Sequence, residues 1–308
     1  MATLFDVFTF DSGRLGPKLI VLGAVHGNEV CGAIAGRRVL QDLSAGRLRI
    51  VRGSLTLVPV TNRLAHERRM RVGDRNLNRN LFPSADPRDN EDRIANELCP
   101  LLARHEVLLD LHSFHSPGQP FVMVGPQDNT GALEPFAHAA DEEALARRLG
   151  VTRAVDGWLD TYAAGAVRRG GAAKYGVGTT EYMRTVGGWG VTLECGQHDD
   201  PQAPEVAYRA IRNALAHLRL VDEPPPGPAP AMQTLSLVTV VDRDDPGDRF
   251  AKDWASFEPV KAGEAVGWRA NGDAVAAPAD GFIVFPNINA VPGAEWFYFA
   301  RPSVRLDD

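Results

Sequence analysis

The chain has 308 residues, of which 44% are hydrophobic and 23% are charged, a composition typical of a globular protein with room for more than one domain. Its net charge of −6 argues against nucleic acid or an anionic membrane as the main partner. The first residues do not read as a signal peptide, and no apolar run reaches the roughly 18–20 residues of a membrane span. Three widely spaced cysteines suggest no disulfide framework and no four-cysteine metal site, so we expect a reducing, cytoplasmic location.

Predicted strands and helices alternate between residues 3 and 218. An edge strand is predicted at 3–10, and apolar runs predict buried strands at 18–25, 54–60, 107–111, 120–124 and 191–194. Apolar residues at helical spacing predict helices at about 29–43, 91–104, 132–149 and 204–218. We interpret the arginine-rich segment 61–83 and the glycine-rich segment 150–190 as loops. Because buried strands without polar alternation are typical of parallel sheets, we predict an α/β fold with a mixed, largely parallel sheet flanked by helices.

A proline-rich stretch, EPPPGPAP at residues 223–230, predicts a linker, because neither a helix nor a central strand tolerates that composition. It separates a predicted catalytic domain, residues 1–222, from the short strands and turns of residues 231–308. We predict that this second segment is a smaller all-β domain. Its sequence resembles a biotinyl/lipoyl-type hairpin barrel without an exposed hairpin lysine, so we expect it to wall the active site rather than to carry a group.

Two histidines and a glutamate stand at the ends of predicted strands. His26 and Glu29 follow the first buried strand, and His112 follows the strand at 107–111. In an open α/β sheet, sites form where several strands present their carboxyl ends. These three side chains would hold a dication such as zinc and leave one position open for water, which is typical of a catalytic zinc site. For a single strand-end histidine, the alternative is a hydrogen-bonded structural role.

Two acidic residues accompany these candidate ligands. Asp110 lies two residues before His112, so it points in the same direction and could orient that histidine. Glu194 ends the strand predicted at 191–194, where a carboxylate beside a dication can act as a general base on water. A capping or ion-paired glutamate explains the pattern equally well.

The segment from Arg71 to Arg79 is a second concentrated signal. Its sequence, RVGDRNLNR, combines guanidinium groups, which suit a carboxylate or a developing oxyanion, with neutral amide donors. The alternative is a solvated basic loop, as most charge runs are. The segment contains no lysine and belongs to an acidic chain, which favours an anion-binding role.

Four motifs occur in the order and approximate spacing of a known family: HGNE at 26–29, NLNR at 76–79, DLH at 110–112 and LECG at 193–196. On these motifs the chain resembles the succinylglutamate desuccinylase/aspartoacylase family, a branch of the zinc carboxypeptidase-like fold. The resemblance covers most of residues 18–220, and the β segment matches the family's second domain. It implies one Zn²⁺ per subunit, held by His26, Glu29 and His112.

The resemblance also assigns roles to other residues. It implies that Glu194 is the general base that activates water and that Arg71 polarises the scissile carbonyl. It implies that Asn78 and Arg79 hold the carboxylate of the substrate. Arg184 falls where aspartoacylases carry an arginine for an acidic side chain, although the residues after it depart from the family pattern.

Several neighbouring residues compete for roles or depart from the pattern. Rival anion binders in the same glycine-rich segment are Arg168, Arg169 and Lys174. Asn76 replaces the aspartate of the aspartate-type DLNR motif, which removes a negative charge beside the arginines. We interpret His115 and His198 as structural or supporting residues, because three protein ligands already suffice for catalytic zinc.

The function predicted from these features is zinc-dependent hydrolysis of the amide bond of a small N-acyl amino acid. A metallocarboxypeptidase that acts on short peptides is the near alternative, and a non-catalytic ligand-binding homologue is the distant one. A dinucleotide enzyme is disfavoured, because the glycines around His26 lack the GxGxxG spacing. Apolar residues of the β segment are compatible with a homo-oligomer, but nothing specifies one.

Overall fold

The computed structural model describes residues 3–307. Within them, eleven strands form one mixed sheet in the order β1-β3-β2-β4-β7-β5-β6-β8-β14-β13-β10, and three more strands form a small sheet in the order β12-β11-β9. The strands of the first half are β1 (Phe8–Asp11), β2 (Lys18–Gly23), β3 (Ser54–Val58), β4 (Val107–Phe114), β5 (Phe121–Met123), β6 (Arg153–Asp156) and β7 (Trp189–Gln197). The later strands are β8 (Gln233–Asp242), β9 (Arg249–Phe250), β10 (Glu258–Val260), β11 (Ala265–Trp268), β12 (Ala274–Ala276), β13 (Gly281–Val284) and β14 (Glu295–Pro302).

The helices lie between these strands. They are α1 (Cys31–Ser44), α2 (Arg63–Arg68), α3 (Asn90–Leu102), α4 (Ala139–Ala146), α5 (Trp158–Arg168), α6 (Thr179–Thr185) and α7 (Ala203–His217), with a 3-10 helix at Ala173–Gly176. No helix of residues 3–307 is both long enough and apolar enough to cross a bilayer.

The centre of the sheet is parallel, because β2 pairs with β3 and β4, and β4 pairs with β7, all in the same direction. Both faces of β2 are covered. Leu19 and Val21 pack in the core that contains α1 and α7, whereas Ile20 and Leu22 pack in the core that contains α3. A strand buried on both faces needs apolar residues at consecutive positions, which explains its unbroken apolar run. The predicted fold class, a mixed and largely parallel sheet flanked by helices, is confirmed.

The two segments that we interpreted as loops contain regular structure, and that interpretation is wrong. Residues 61–83 include α2, whose N-terminus is capped by Asn62, since its Oδ1 accepts the Ala65 backbone N–H. Residues 150–190 include β6, α5, the 3-10 helix and α6. The glycines there sit mostly at element boundaries: Gly157, with φ of +76°, is the N-cap of α5. High glycine content marked the element ends rather than a long loop.

The later strands continue the main sheet. The strand β8 pairs in parallel with β6, and β14, β13 and β10 extend the sheet beyond it in antiparallel fashion. Residues 223–230 contain no helix or strand, in keeping with the linker composition. The division of the chain into two domains stays a prediction, because one sheet spans both segments.

Candidate active site

The candidate ligands meet where the central parallel strands end. A sharp turn after β2 carries His26, and at its next residue, Gly27, a Cβ atom would lie 2.0 Å from the backbone carbon of Ala65. Only glycine allows α2 to approach this closely, so the turn fixes where the His26 side chain leaves the sheet. His112 lies on β4, directly beside Glu194 of the neighbouring strand β7 in the sheet register. The fold therefore brings together side chains that are far apart in the sequence.

Three buried side chains form a group that could hold a metal ion. One ligand atom from each of His26, Glu29 and His112 lies within 4.8 Å of the others. The Nδ1 atom of His26 is 2.9 Å from Glu29 Oε1, and the Nδ1 atom of His112 is 2.8 Å from Glu29 Oε2. The contact between His26 and Glu29 is short but does not have hydrogen-bond geometry, so Nδ1 of His26 is buried without a hydrogen-bond partner in the described chain. A dication would satisfy this atom, so the residues fit such a group.

The outer nitrogen of each histidine is held by a second residue. Nε2 of His112 lies 2.8 Å from Asp110 Oδ2, as expected if Asp110 orients this histidine. The same carboxylate oxygen accepts the hydroxyl of Thr179. Nε2 of His26 lies 3.0 Å from the Asn76 side-chain oxygen, which also accepts the Asn78 backbone N–H. These acceptors place the N–H of both rings at Nε2, so both Nδ1 atoms can face a cation.

Burial and charge set the protonation of these groups. Burial, helped by the Arg71 guanidinium, lowers the pKa of His26 to about 4. Burial also lowers the pKa of His112, but the carboxylates of Asp110 and Glu29 outweigh it and raise the pKa well above its usual value. For Glu29, burial opposes ionisation, and the two histidines nevertheless hold its pKa well below its usual value. Glu29 is therefore an ionised carboxylate between two imidazoles.

Glu194 is a buried carboxylate beside this group. Its Oε2 atom has no hydrogen-bond partner among the described residues. Burial raises the pKa of Glu194 to about 8, and the neighbouring Glu29 contributes in the same direction. A carboxyl group with a raised pKa and a free oxygen can exchange a proton near neutral pH.

Arg71 contacts the Glu29 carboxylate as well. Its Nη1 atom donates to Glu29 Oε1 at 2.6 Å, and about half of its side chain, 48%, is exposed. The guanidinium is therefore anchored at the candidate metal group while still facing the cavity, where it could meet a polarised oxygen.

Asn78 and Arg79 lie on the wall of the same cavity. Oδ1 of Asn78 accepts the Thr179 backbone N–H, so its amide nitrogen is the donor left for a ligand. The Arg79 guanidinium lies 5.0 Å from the Trp158 ring centre and 4.5 Å from that of Tyr162. Arg79 is partly buried, and within residues 3–307 no carboxylate forms an ion pair with it. Burial lowers the pKa of Arg79, but Tyr162 and the Glu295 carboxylate outweigh this effect and raise it. A partly buried cation without a direct ion pair is a good site for an anion.

Arg184 also reaches the cavity, but its donors are occupied. It donates to both carboxylate oxygens of Glu142, to Glu134 at 2.6 Å and to the Gly190 carbonyl oxygen. Only 3% of its side chain is exposed. Its predicted contact with a substrate side chain stays a prediction, and it would require Arg184 to leave one of these carboxylates.

The other rival residues have different surroundings. Arg168 and Arg169 pair with Asp242 of β8, and neither they nor Lys174 lines the cavity. His198 lies 2.8 Å from the Ser113 hydroxyl, and His115 lies beside it with the ring centres 6.2 Å apart. Both histidines face the cavity, outside the group that could hold a metal.

One cavity of about 780 Å³ is lined by the candidate metal group, Glu194, Arg71, Asn78, Arg79 and Arg184. The later strands contribute part of its wall, through Phe285, Asn287, Asn289, Glu295, Tyr298 and Arg305. The sequence had led us to expect that the β segment walls the site, and these residues do so. The sequence reading missed the aromatic pair Trp158 and Tyr162, whose helical spacing of four would have been visible had α5 been predicted.

The fold and the site together define an α/β protein with a candidate metal centre at the carboxyl edge of its sheet. Residues 15–144 match the family model described as the succinylglutamate desuccinylase/aspartoacylase catalytic domain. This segment contains three of the four motifs, so the predicted resemblance to the succinylglutamate desuccinylase/aspartoacylase family is confirmed over these residues. The proteins that this family model describes are deacylases, which hydrolyse amide bonds.

Solved structures share the fold over nearly the whole chain. A succinylglutamate desuccinylase/aspartoacylase from Rhodobacter sphaeroides matches with a TM-score of 0.70 and 20% identity, over 97% of this chain and 89% of its own. The product-bound ectoine utilization protein EutE (DoeB) from Ruegeria pomeroyi matches with a TM-score of 0.73 and 20% identity, over 96% and 88%. A succinylglutamate desuccinylase from Vibrio cholerae matches with a TM-score of 0.70 and 17% identity, over 96% and 85%. At these identities the similarity shows the fold, and no curated protein matches the sequence.

Proposed function

We propose that this protein hydrolyses the amide bond of N-acyl amino acids and uses one zinc ion per subunit, held by His26, Glu29 and His112. The observation that carries the proposal is the arrangement in one cavity of a His–Glu–His group, a buried carboxylate with a free oxygen, and a partly buried arginine without an ion pair among the described residues. These three features match, in order, the needs of water activation, proton transfer and substrate positioning.

When bound, the dication would supply a Lewis acid that makes water more acidic and polarises the amide carbonyl. The chain itself supplies the remaining steps. Glu194 accepts a proton from the attacking water, and its raised pKa lets it later deliver that proton to the leaving amine. Arg71 donates to the oxygen on which negative charge develops, because its guanidinium already faces the cavity beside Glu29.

Asn78 and Arg79 orient the substrate. A carboxylate of the amino acid can accept from the Arg79 guanidinium and from the free amide of Asn78. Trp158 and Tyr162 flank Arg79 and exclude water from this contact, which strengthens it. The assignment of these roles rests on the geometry and on the motif positions together.

The test is hydrolysis by purified, zinc-loaded protein. N-acetyl and other N-acyl amino acids are incubated with the protein, and free amine is measured by a fluorogenic amine reagent. We expect turnover that is lost when a chelator removes the metal and restored when zinc is returned. The Glu194→Gln variant, checked for folding by circular dichroism, is the matched control.

Short peptides are assayed in parallel to separate the neighbouring functions. Turnover of peptides with a free carboxyl end, without turnover of N-acyl amino acids, would replace the proposal by a metallocarboxypeptidase. Binding of these compounds without release of amine from any of them would indicate a non-catalytic homologue.

A further inference from the structure

The positive charges available to a substrate can be counted from the cavity wall. Among the described residues, four arginines and no lysine line the cavity: Arg71, Arg79, Arg184 and Arg305. A substrate carboxylate that enters a partly buried cavity needs a cation or an equivalent set of donors to offset its desolvation. The number of free guanidinium groups therefore indicates how many substrate carboxylates can find a counter-charge on this wall.

Two of the four arginines are already neutralised. Arg184 holds Glu142 with two donors and Glu134 with a third. Arg305, whose side chain is 7% exposed, donates to Glu143 at 2.8 Å and to the carbonyl oxygens of Gly125 and Pro126. Releasing Arg184 to a ligand would leave the buried Glu142 carboxylate without its counter-charge, which costs more than an ordinary hydrogen bond. Releasing Arg305 would break its ion pair with the partly exposed Glu143.

Each of the two remaining arginines is suited to one negative group only. Arg79, without an ion pair in the described residues, suits one carboxylate. Arg71 is bound to Glu29 at the candidate metal group, where negative charge develops during amide hydrolysis. The two cavity histidines outside that group add no standing charge, because burial lowers the pKa of both His115 and His198.

The wall itself adds negative charge. Apart from Glu134 and Glu194, whose pKa values are raised, the cavity lining carries five carboxyl side chains against the four guanidinium groups. Glu134 and Glu181 face the cavity around Arg184, and burial together with the neighbouring Glu181 and Glu142 carboxylates raises the pKa of Glu134 to about 7. A second negative group on the substrate would meet this wall without a counter-charge.

We propose that the substrate carries a single carboxylate, held at Asn78 and Arg79, and that its acyl group and side chain are neutral or positively charged. This inference rests on the proposed function and narrows it. It separates this protein from relatives named for succinylglutamate or aspartate, whose substrates bear more than one carboxylate. The acyl group is uncharged, as in acetyl, and dicarboxylic amino acids are excluded.

Matched substrate pairs test the proposal. N-acetylglutamine and N-acetylglutamate differ only in the charge of the side-chain end, and Nα-acetylornithine adds a cation. We expect kcat/KM for N-acetylglutamate to be at least about tenfold below that for N-acetylglutamine. We expect Nα-acetylornithine to equal or exceed N-acetylglutamine. N-acetylglutamate at parity or better, or N-succinyl substrates favoured over N-acetyl ones, would overturn the inference.

Binding of products separates this inference from the proposed function. Free glutamine and free glutamate are titrated into the zinc-loaded protein by calorimetry, which requires no turnover. Absence of hydrolysis with every substrate defeats the proposed function, whereas weaker binding of glutamate than of glutamine still supports the single-carboxylate site. Tighter binding of glutamate overturns the single-carboxylate site even when hydrolysis is observed.

A charge-neutralising variant tests whether the cavity wall around Arg184 causes the discrimination against a second carboxylate. Glu134→Gln keeps an oxygen for Arg184 but, in assays at pH 8, removes one negative charge from the wall, so the ratio of kcat/KM for N-acetylglutamate over N-acetylglutamine should rise about three- to tenfold. Glu97→Gln makes the same chemical change on the exposed surface of α3 and should leave the ratio unchanged. An unchanged ratio in folded Glu134→Gln protein would contradict the role of this wall. Should that variant fail to fold, the wild-type substrate pairs decide the question alone.

Discussion

The two ends of the cavity differ in how far their polar groups are hydrogen-bonded or ion-paired within the chain. At the end with the candidate metal group, here called the metal end, Nδ1 of His26 and Oε2 of Glu194 have no hydrogen-bond partner in the described chain, and Arg79 forms no ion pair there. At the other end, Arg184 and Glu142 satisfy each other almost completely. Since folding rarely leaves buried polar atoms unsatisfied, the first end is arranged for something that the chain itself does not supply. The second end is arranged for stability.

The largest expected effect is at the metal end. Glu194→Gln should reduce kcat by about 10³-fold, because the amide cannot accept the proton of water. The free energy of unfolding should not fall, since the change removes a buried carboxyl whose ionisation is unfavourable. Steady-state kinetics and urea unfolding measure the two quantities. A lower free energy of unfolding, together with full activity of the folded fraction, would show that Glu194 serves stability and not catalysis.

At the opposite end the expected loss is of stability. Arg184→Met should lower the free energy of unfolding by about 3–5 kcal/mol at pH 8, because it leaves the buried Glu142 carboxylate without its counter-charge, with only backbone N–H donors remaining. Urea unfolding curves give this value. Arg88→Met is the matched control, since Arg88 and its partner Asp86 are 83% and 85% exposed, and it should change little. Equal stability of the two variants would refute the structural role of Arg184.

A smaller effect, on kcat/KM and not on stability, should distinguish the role of Arg79 from that of Arg184. Arg79→Gln should reduce kcat/KM by about 100-fold, through loss of the carboxylate contact, while the protein stays folded. Kinetics with N-acetylglutamine and a thermal melt measure both results. Unchanged kinetics in the folded variant would remove Arg79 from substrate binding.

The smallest expected effect is a pH-dependent change in the free energy of unfolding. The pKa of Glu134 is about 7 in the folded protein against 4.5 ordinarily, so the folded state holds this proton more tightly than the unfolded chain. The contribution of Glu134 to stability is therefore most favourable below about pH 4.5 and is lost as the pH rises through about 7. Between pH 5 and pH 8, Glu134→Gln should gain about 2 kcal/mol of stability relative to wild type. A constant difference across this range would contradict the burial of an ionisable Glu134.

Much of the metal end could be predicted from the sequence, because it depends on local signals. Unbroken apolar runs fix β2, β4 and β7, and the polar residues that follow each run must then meet at one edge of the sheet. His26, His112 and Glu194 are such residues. Their approach to one another requires only strand order and direction, which a parallel α/β sheet restricts strongly.

The opposite end could not be predicted in this way. Arg184 was assigned to the substrate because its position relative to Glu194 resembles the family pattern, but its partners Glu134 and Glu142 come from a different part of the chain. No periodicity connects these residues, so only the folded structure reveals that the guanidinium is already neutralised. The aromatic neighbours of Arg79 were missed for a related reason, since glycine content concealed α5.

The most direct test of the account is the position of the metal. Crystals of zinc-loaded protein, measured at the zinc absorption edge, should show one anomalous peak per subunit within coordination distance, about 2.0–2.2 Å, of His26, Glu29 and His112. The account predicts that Nδ1 of both histidines faces this peak and that Glu194 lies beside it without being a ligand. A stoichiometric peak elsewhere, or zinc that remains fully bound after His26→Ala and His112→Ala are combined, would contradict it.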